Sequence, residues 1–264
     1  MLKELDMLIP RVIPVLLLKK EGLVKGTNFK NHTYVGDPIN AVKIFNEKEV
    51  DELFFVDIAA TNENKRPLLE LIQKIADECF MPFGVGGGIK TIDDIRMVLS
   101  AGAEKICINS AAVENPQFVK EAAGIFGSQS IVVSIDVKRQ QGNEYEVYTH
   151  SGTKRVNVDL VELAKQVESL GAGEILLTSI DKDGTMQGYD FECTKRVAMS
   201  VKIPIVACGG AGRKEDLADV VNEGCASAAA AGSFFVFHGR RRAVLINFPL
   251  KQELEQIFNT FTVQ

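Results

Sequence analysis

Apolar runs of strand length alternate with longer segments of helical period along nearly the whole chain. Runs near 12–18, 53–58, 83–86, 105–109, 131–136, 175–180, 204–208 and 227–231 read as strands. Helical periods occupy about 37–48, 65–79, 91–101, 115–125, 158–170, 190–199, 213–222 and 240–260. Alternating β and α elements with short joints imply parallel strands and right-handed crossovers. Eight such units predict a closed (β/α)8 barrel, the TIM-barrel fold, as a single domain over 1–264. An open doubly wound sheet is the alternative, and it predicts no half-chain repeat. Two connections are longer than the rest, Lys19 to Gly36 and Lys138 to Asn157, and Glu144 to Thr149 in the second has the pattern of a short hairpin strand.

The repeat is present. Phe83-Gly84-Val85-Gly86-Gly87-Gly88-Ile89 recurs as Ile205-Val206-Ala207-Cys208-Gly209-Gly210-Ala211-Gly212, each an apolar run, then glycines, then a polar-capped amphipathic segment. Pro82 precedes one copy and Pro204 the other, an offset of 122 that also carries Glu52 onto Glu174, Gly102 onto Gly224 and Asn109-Ser110 onto Ala231-Gly232. The barrel is therefore expected to be built from two half-barrel repeats. Glycines at a strand end let backbone approach a ligand without a Cβ in the way, and clustered N–H groups there suit a phosphate. This places a phosphorylated small-molecule ligand at the carboxyl ends of the strands.

The strand-end residues are the candidates for chemistry: Leu17, Asp57, Gly86 to Gly88, Asn109, Ser110, Asp136, Thr178 to Gly184, Cys208 to Gly210, Ala231 and Gly232. Asp136 ends a strand, where a carboxylate suits general acid/base work or caps the next loop. Asp181 and Asp183 either bind ligand hydroxyls or shape their loop. Aligning Ile13 to Lys19 with Val132 to Lys138 sets Leu17 opposite Asp136. A two-carboxylate mechanism wants an acid in both halves, and this chain offers one. Lys25, on the long first loop, is either a mobile ligand contact or solvated surface. Arg11, Glu52, Lys105 and Glu174 lie at strand starts, hence at the barrel's opposite end, where four alternating charges can close a ring that plugs or gates the bottom.

Composition changes this picture little. At 46% hydrophobic and 25% charged residues with a net charge of −5, the chain has core enough for one large α/β domain and no basic field for nucleic acid or anionic lipid. Cys79, Cys107, Cys193, Cys208 and Cys225 lie singly, as reduced thiols do in a cytoplasmic protein. Met1 to Asp6 lacks a leader pattern, and no apolar stretch nears the ~20 residues of a membrane span, so a cytoplasmic protein without membrane contact is expected. His32, His150 and His238 have no metal-site spacing, no nucleophile elbow occurs, and no cofactor is expected. Lysines within the barrel strands are limited to Lys105 at a strand start, which argues against Schiff-base chemistry.

Ile13-Pro14, Val24-Lys25-Gly26-Thr27-Asn28-Phe29, Gly36-Asp37-Pro38, Val85-Gly86-Gly87-Gly88-Ile89, Ile108-Asn109-Ser110, Ser134-Ile135-Asp136-Val137-Lys138-Arg139, Gly173 to Thr185 and Cys208-Gly209-Gly210-Ala211-Gly212 closely resemble the cyclase subunit of imidazole glycerol phosphate synthase, from about Arg11 to Phe237. The resemblance implies a partner glutaminase docked at the amino-terminal face. Ammonia would pass through the barrel to a bisphosphorylated substrate at the top. Gly87, Gly88, Asn109 and Ser110 would hold one phosphate, and Asp183, Gly184, Gly209, Gly210, Ala231 and Gly232 the other, with Thr178 completing the set. Arg11, Glu52, Lys105 and Glu174 would form the ammonia gate, Asp136 one of two catalytic aspartates, and Lys25 the mobile-loop lysine.

Two positions depart from that pattern. The first strand ends in an acid in the family and reads Val15-Leu16-Leu17-Leu18 here; the usual serine before the seventh-strand glycines is Cys208. A branch of these barrels associated with glycosyl amidation in surface-polysaccharide biosynthesis is similar at Val15 to Leu18 and along the tail from Phe237 to Pro249. Its likeness implies a barrel that conducts ammonia to a separate sugar amidotransferase. The expected function is thus the barrel subunit of a glutamine-dependent amidotransferase complex. The alternatives are an active cyclase of histidine biosynthesis, with Asp57 replacing the missing acid, and a phosphate-binding scaffold without turnover.

Overall fold

Eight strands pair in parallel and close into a ring. They are β1 Arg11–Lys19, β2 Leu53–Asp57, β3 Phe83–Gly86, β4 Lys105–Ile108, β5 Ile131–Arg139, β6 Glu174–Ser179, β7 Ile205–Cys208 and β8 Ala228–Ala231. Each pairs with the next, from Val15↔Phe54 between β1 and β2 to Cys208↔Ala230 between β7 and β8, and β8 returns to β1 through Arg11↔Ala228 to Pro14↔Ala231. The computed structural model describes residues 9–239 and 241–259; Met1 to Asp6, where no leader pattern is expected, and Arg240 lie outside them.

Helices α1 Pro38–Glu47, α2 Leu69–Glu78, α3 Ile92–Ser100, α4 Pro116–Phe126, α5 Leu160–Ser169, α6 Phe191–Ala198, α7 Glu215–Asn222 and α8 Lys251–Asn259 follow the strands. Their starts are set by local chemistry. Asp37 accepts from the amide of Asn40 ahead of Pro38 in the first turn of α1. Thr91 and Asp94 form a reciprocal capping box on α3, and Asp159 and Asp190 cap α5 and α6 with their carboxylates.

Two cores result from the two faces of the strands. Outward-facing residues pack against the helices, whereas Ile13, Val15, Phe54, Cys107, Val132, Leu176, Val206, Cys208, Ala228 and Ala230 fill the barrel itself. Phe54 lies across that interior, and Gly84 on β3 makes room for it. A Cβ at Gly84 would lie 2.4 Å from the Phe54 ring.

The half-chain repeat is visible in the register. Leu17 pairs with Val56 between β1 and β2, and Asp136 with Thr178 between β5 and β6; the offset of 122 carries Val56 onto Thr178. Strands β1 and β5, at nine residues the longest of the barrel, both overrun it. Each continues into an antiparallel hairpin, β1 with Gly22–Thr27 and Lys30–Gly36, β5 with Tyr145–Thr149 and Lys154–Val156. The long connections expected as loops are therefore extra sheet, as the second was expected to be only over Glu144 to Thr149.

The tail departs from expectation. The helix expected over 240–260 is found only at Lys251–Asn259; before it, Phe237–His238 pairs with Ala243–Val244 in a small hairpin. Gly239 and Arg242 at its turn have φ of +68° and +50°, and Pro249 excludes helical geometry from the residue before it. Arg242 is not a solvated helix residue. Its guanidinium donates to the Gly184 carbonyl at 2.6 Å and lies 4.9 Å from the centre of the Phe237 ring.

The packing of Phe54 against β3 yields a direct test. Gly84→Ala forces a methyl into the Phe54 ring and is expected to lower unfolding free energy by about 1–3 kcal/mol. Urea denaturation measures it, and an unchanged midpoint contradicts this account of the interior.

Candidate functional site

At the carboxyl-terminal mouth lies a cavity of about 440 Å³. The strand ends and the loops after β2 and β4 form most of its wall, and the two hairpins add Lys25, Phe29, His32, His150, Ser151 and Thr153. Of the sequence candidates, Leu17, Lys25, Gly87, Gly88, Asn109, Ser110, Asp136, Thr178, Asp183 and Gly232 line it, and Asp57 and Cys208 do too. The remaining glycines shape the backbone around it. A Cβ on Gly184 would lie 2.1 Å from the Gly26 carbonyl, on Gly209 2.7 Å from that of Ser179, and on Gly210 2.2 Å from that of Gly188. Gly87, with φ of +100°, packs likewise on the Asp57 carbonyl at 2.2 Å. These glycines are required by the approach of neighbouring protein backbone, not only by room for a ligand. Ala231 is buried in β8, opposite Pro14.

Asp136 is the best-supported group in the cavity. The Asn109 amide donates to one carboxyl oxygen at 3.2 Å and to the Ser134 carbonyl at 3.0 Å, and the Ser134 hydroxyl reaches the other oxygen at 3.3 Å. Ser110 donates to Asn109 at 3.2 Å and accepts the His150 amide at 3.1 Å, which ties the β5 hairpin to the end of β4. Burial pushes the Asp136 carboxyl up to about 7, with Asp183 adding to the rise and the hydroxyls of Ser134 and Thr178 opposing it. A carboxyl poised there can give or take a proton at neutral pH.

The other acids have separate tasks. Asp57, the expected replacement for the missing acid, spends one oxygen on the amides of Ala59 and Ala60 at 2.9 and 3.0 Å, so it holds its own loop. Asp181 accepts the Arg139 amide at 2.7 Å and shapes the loop after β6. Asp183 is half-buried, and desolvation raises its carboxyl with Lys25 opposing.

Lys25 is neither mobile surface nor loop. It lies in the strand Gly22–Thr27, is 5% exposed, and donates to the Val15 carbonyl at 2.6 Å. Burial lowers its ammonium to about 8, against Asp183 and Cys208. His32 and His150, one from each hairpin, also line the cavity and were passed over when histidines were weighed only as metal ligands. A signal existed, since each falls in one of the two long connections paired by the repeat. Among the described residues no group of three or more His, Cys, Asp or Glu is placed to hold a metal ion, and no helix is long and apolar enough to cross a membrane.

At the opposite end the strand-start charges close on one another. Arg11 pairs with both Glu52 and Glu174, and Lys105 reaches the same two carboxylates at 2.6 and 3.0 Å. Glu52 and Glu174 are buried, and each is paired with both cations.

The molecule is thus a (β/α)8 barrel of doubled half-barrels, with a cavity at one mouth and a closed ion-pair ring at the other. Residues 11–241 match the family described as histidine biosynthesis protein, and the chain belongs to it. It is similar to a protein of Leptospira borgpetersenii provisionally named imidazole glycerol phosphate synthase subunit HisF, 49% identical over 96% of this chain and 100% of the relative. A Pseudomonas aeruginosa protein provisionally named as subunit hisF2 of the same synthase is 49% identical over 93% of this chain and 98% of its own. The imidazole glycerol phosphate synthase subunit HisF of Alkaliphilus metalliredigens is 43% identical over 95% and 98% respectively.

The environment of Asp136 predicts a pH-dependent stability. Its carboxyl titrates near 7 when folded and near 4 when unfolded, so the native state keeps a proton that the unfolded chain releases. Stability from this group is therefore full below about 4 and falls as pH rises to about 7. Asp136→Asn removes that slope. Its unfolding free energy relative to the parent is expected to rise by a few kcal/mol between pH 4.5 and 8 in urea denaturation; a difference constant with pH contradicts the assignment.

Proposed function

We propose that this chain is the barrel subunit of a glutamine-dependent complex of the imidazole glycerol phosphate synthase kind, taking ammonia from a glutaminase at the amino-terminal face and delivering it to the cavity. The observation that carries the finer reading is Leu17. It lines the cavity at the place related to Asp136 by the half-barrel repeat, and a leucine transfers no proton. General acid/base groups contribute about 10²–10⁴-fold each, so a cyclisation that uses both acids is left with little flux. Delivery of ammonia to a separate sugar amidotransferase of surface-polysaccharide biosynthesis asks for no second acid, and the likeness of Val15 to Leu18 and of the tail to the glycosyl amidation branch supports that destination.

The interior suits the cargo. Between the ring and the cavity the barrel is filled by Ile13, Val15, Phe54, Val132, Val206, Ala228 and Ala230, which disfavour ammonium and admit neutral ammonia more readily. Passage requires the ring to part, and its two cations, Arg11 with one-third and Lys105 with one-fifth of the side chain exposed, are the members placed to swing. In the cavity, Gly87, Gly88, Asn109 and Ser110 form one candidate phosphate cradle, and Asp183, Gly184, Gly209, Gly210, Ala231 and Gly232 with Thr178 the other. The second reading, an active cyclase of histidine biosynthesis, is favoured by the names of the relatives and disfavoured by Leu17 and by the engagement of Asp57 with its own loop.

Docking of a glutaminase is supported by the same end of the barrel. Phe80 after α2, Ile125 in the last turn of α4 and Met199 after α6 stand 89%, 51% and 74% exposed at the face that carries the ring. Large apolar groups so exposed suit an interface. Phe80→Asp and Met199→Asp are each expected to weaken binding of the glutaminase subunit at least tenfold in titration calorimetry and to abolish its stimulation, with melting temperature unchanged. Binding that is absent in the parent, or indifferent to both changes, contradicts the proposal.

A further inference from the structure

A groove lies beside the cavity, under the tail. It encloses about 290 Å³ and is lined chiefly by Met186 from the loop after β6, Phe234 and Phe237 from the turn after β8, and Leu245, Phe248 and Pro249 from the tail. Its walls run on from those of the cavity, since Met186 lies three residues past Asp183 and Phe234 two past Gly232, both of which line the cavity. The tail is held there by backbone. The amides of Leu245 and Asn247 donate to the Val236 and Phe235 carbonyls, each at 2.9 Å. Its apolar groups are not used up in doing so. Val244, Leu245 and Leu250, in that lining or next to it along the chain, stand 50%, 55% and 59% exposed. Three large apolar side chains so exposed beside an aromatic pocket mark an interaction site.

The charge around the groove is one-sided. Glu253, the acid in its lining, is already paired with Lys214 at 3.1 Å. Among the described residues Lys182 on the loop after β6, Arg241 and Arg242 in the tail and Lys251 at the start of α8 make no ion pair; Arg242 holds only the Gly184 carbonyl and the face of Phe237. An apolar pocket flanked by unpaired cations is complementary to an apolar segment flanked by carboxylates. A concave pocket takes a protruding side chain and gives a flat lipid surface little to bury. A second copy of this chain, related by a two-fold axis, would set the same cations against one another.

We propose that this groove is the docking site of the protein that accepts the ammonia, which presents to it an acidic segment with one large apolar side chain seated in the pocket. The inference rests on the reading that the chain delivers ammonia to a separate acceptor. Ammonia released into water at neutral pH takes up a proton and ceases to be a nucleophile, so delivery requires the acceptor to close over the exit. A partner seated in the groove lies against that exit, because the loop after β6 and the turn after β8 belong to both. The contact also reaches the cavity wall, since Arg242 holds the Gly184 carbonyl, one residue past Asp183, at 2.6 Å. Acceptor and glutaminase then occupy opposite ends of the barrel and bind together.

The test titrates a purified sugar amidotransferase of surface-polysaccharide biosynthesis onto the chain, alone and with the glutaminase bound. Binding to the parent is expected, weakened at least tenfold by Leu245→Asp and by Arg241→Glu, with melting temperature and glutaminase binding unchanged. Added salt should weaken the parent more than Arg241→Glu, because the variant has lost part of the complementary charge. Binding to the parent that is indifferent to both changes overturns the groove and leaves the acceptor reading standing. No binding to the parent overturns both. Vesicles of phosphatidylcholine and phosphatidylglycerol, and the parent's own sedimentation, complete the test: vesicle binding or self-association lost in Leu245→Asp overturns the proposal in favour of a membrane or a second copy.

Discussion

Two strands that run too long for the barrel govern its upper half. The eight-stranded ring needs only four to six residues from its other members, whereas β1 and β5 extend to nine and fold back as hairpins. Those hairpins add Lys25, Phe29, His32, His150, Ser151 and Thr153 to the cavity lining. Desolvation then sets the chemistry, raising the carboxyl of Asp136 and lowering the ammonium of Lys25 toward the same range of pH.

The two halves repeat in backbone and differ in side chain. Leu17 and Asp136 occupy equivalent register positions, yet only one can move a proton. Under the proposed function, the chain keeps what either task needs from the barrel, a cavity edged by glycine turns and an ion-pair ring below, and lacks the second acid. The ring makes structural sense only as a unit, because Glu52 and Glu174 are buried and each is neutralised by both cations. Removing both cations would leave two buried charges, at a cost of about 3–5 kcal/mol each.

Most of the barrel was legible in the sequence because its strands are short apolar runs between capped helices, and because the offset of 122 ties one half to the other. The strand-start charges were legible for the same reason, since position along a parallel strand decides which mouth a residue faces. Less was legible where a segment is added to the barrel. Lys25 read as a loop residue, either a mobile ligand contact or solvated surface, because nothing local announces that Gly22 to Thr27 pairs with β1. The tail read as helix from its spacing, and the left-handed turn at Gly239 and Arg242, stabilised by contacts to Phe237 and Gly184, overrode it. His32 and His150 were overlooked because their meeting in one cavity is a product of tertiary structure.

The central claim is that Leu17 leaves this family member with one acid where cyclisation uses two. The measurement that tests it most directly is ammonia-dependent turnover of the bisphosphorylated imidazole-pathway substrate by the purified chain, beside Leu17→Asp. The account predicts negligible turnover in the parent and a gain of at least tenfold in the variant, whose restored carboxylate faces an intact cavity. Robust turnover in the parent, undiminished or unimproved by the change, would contradict it and make the chain a working cyclase.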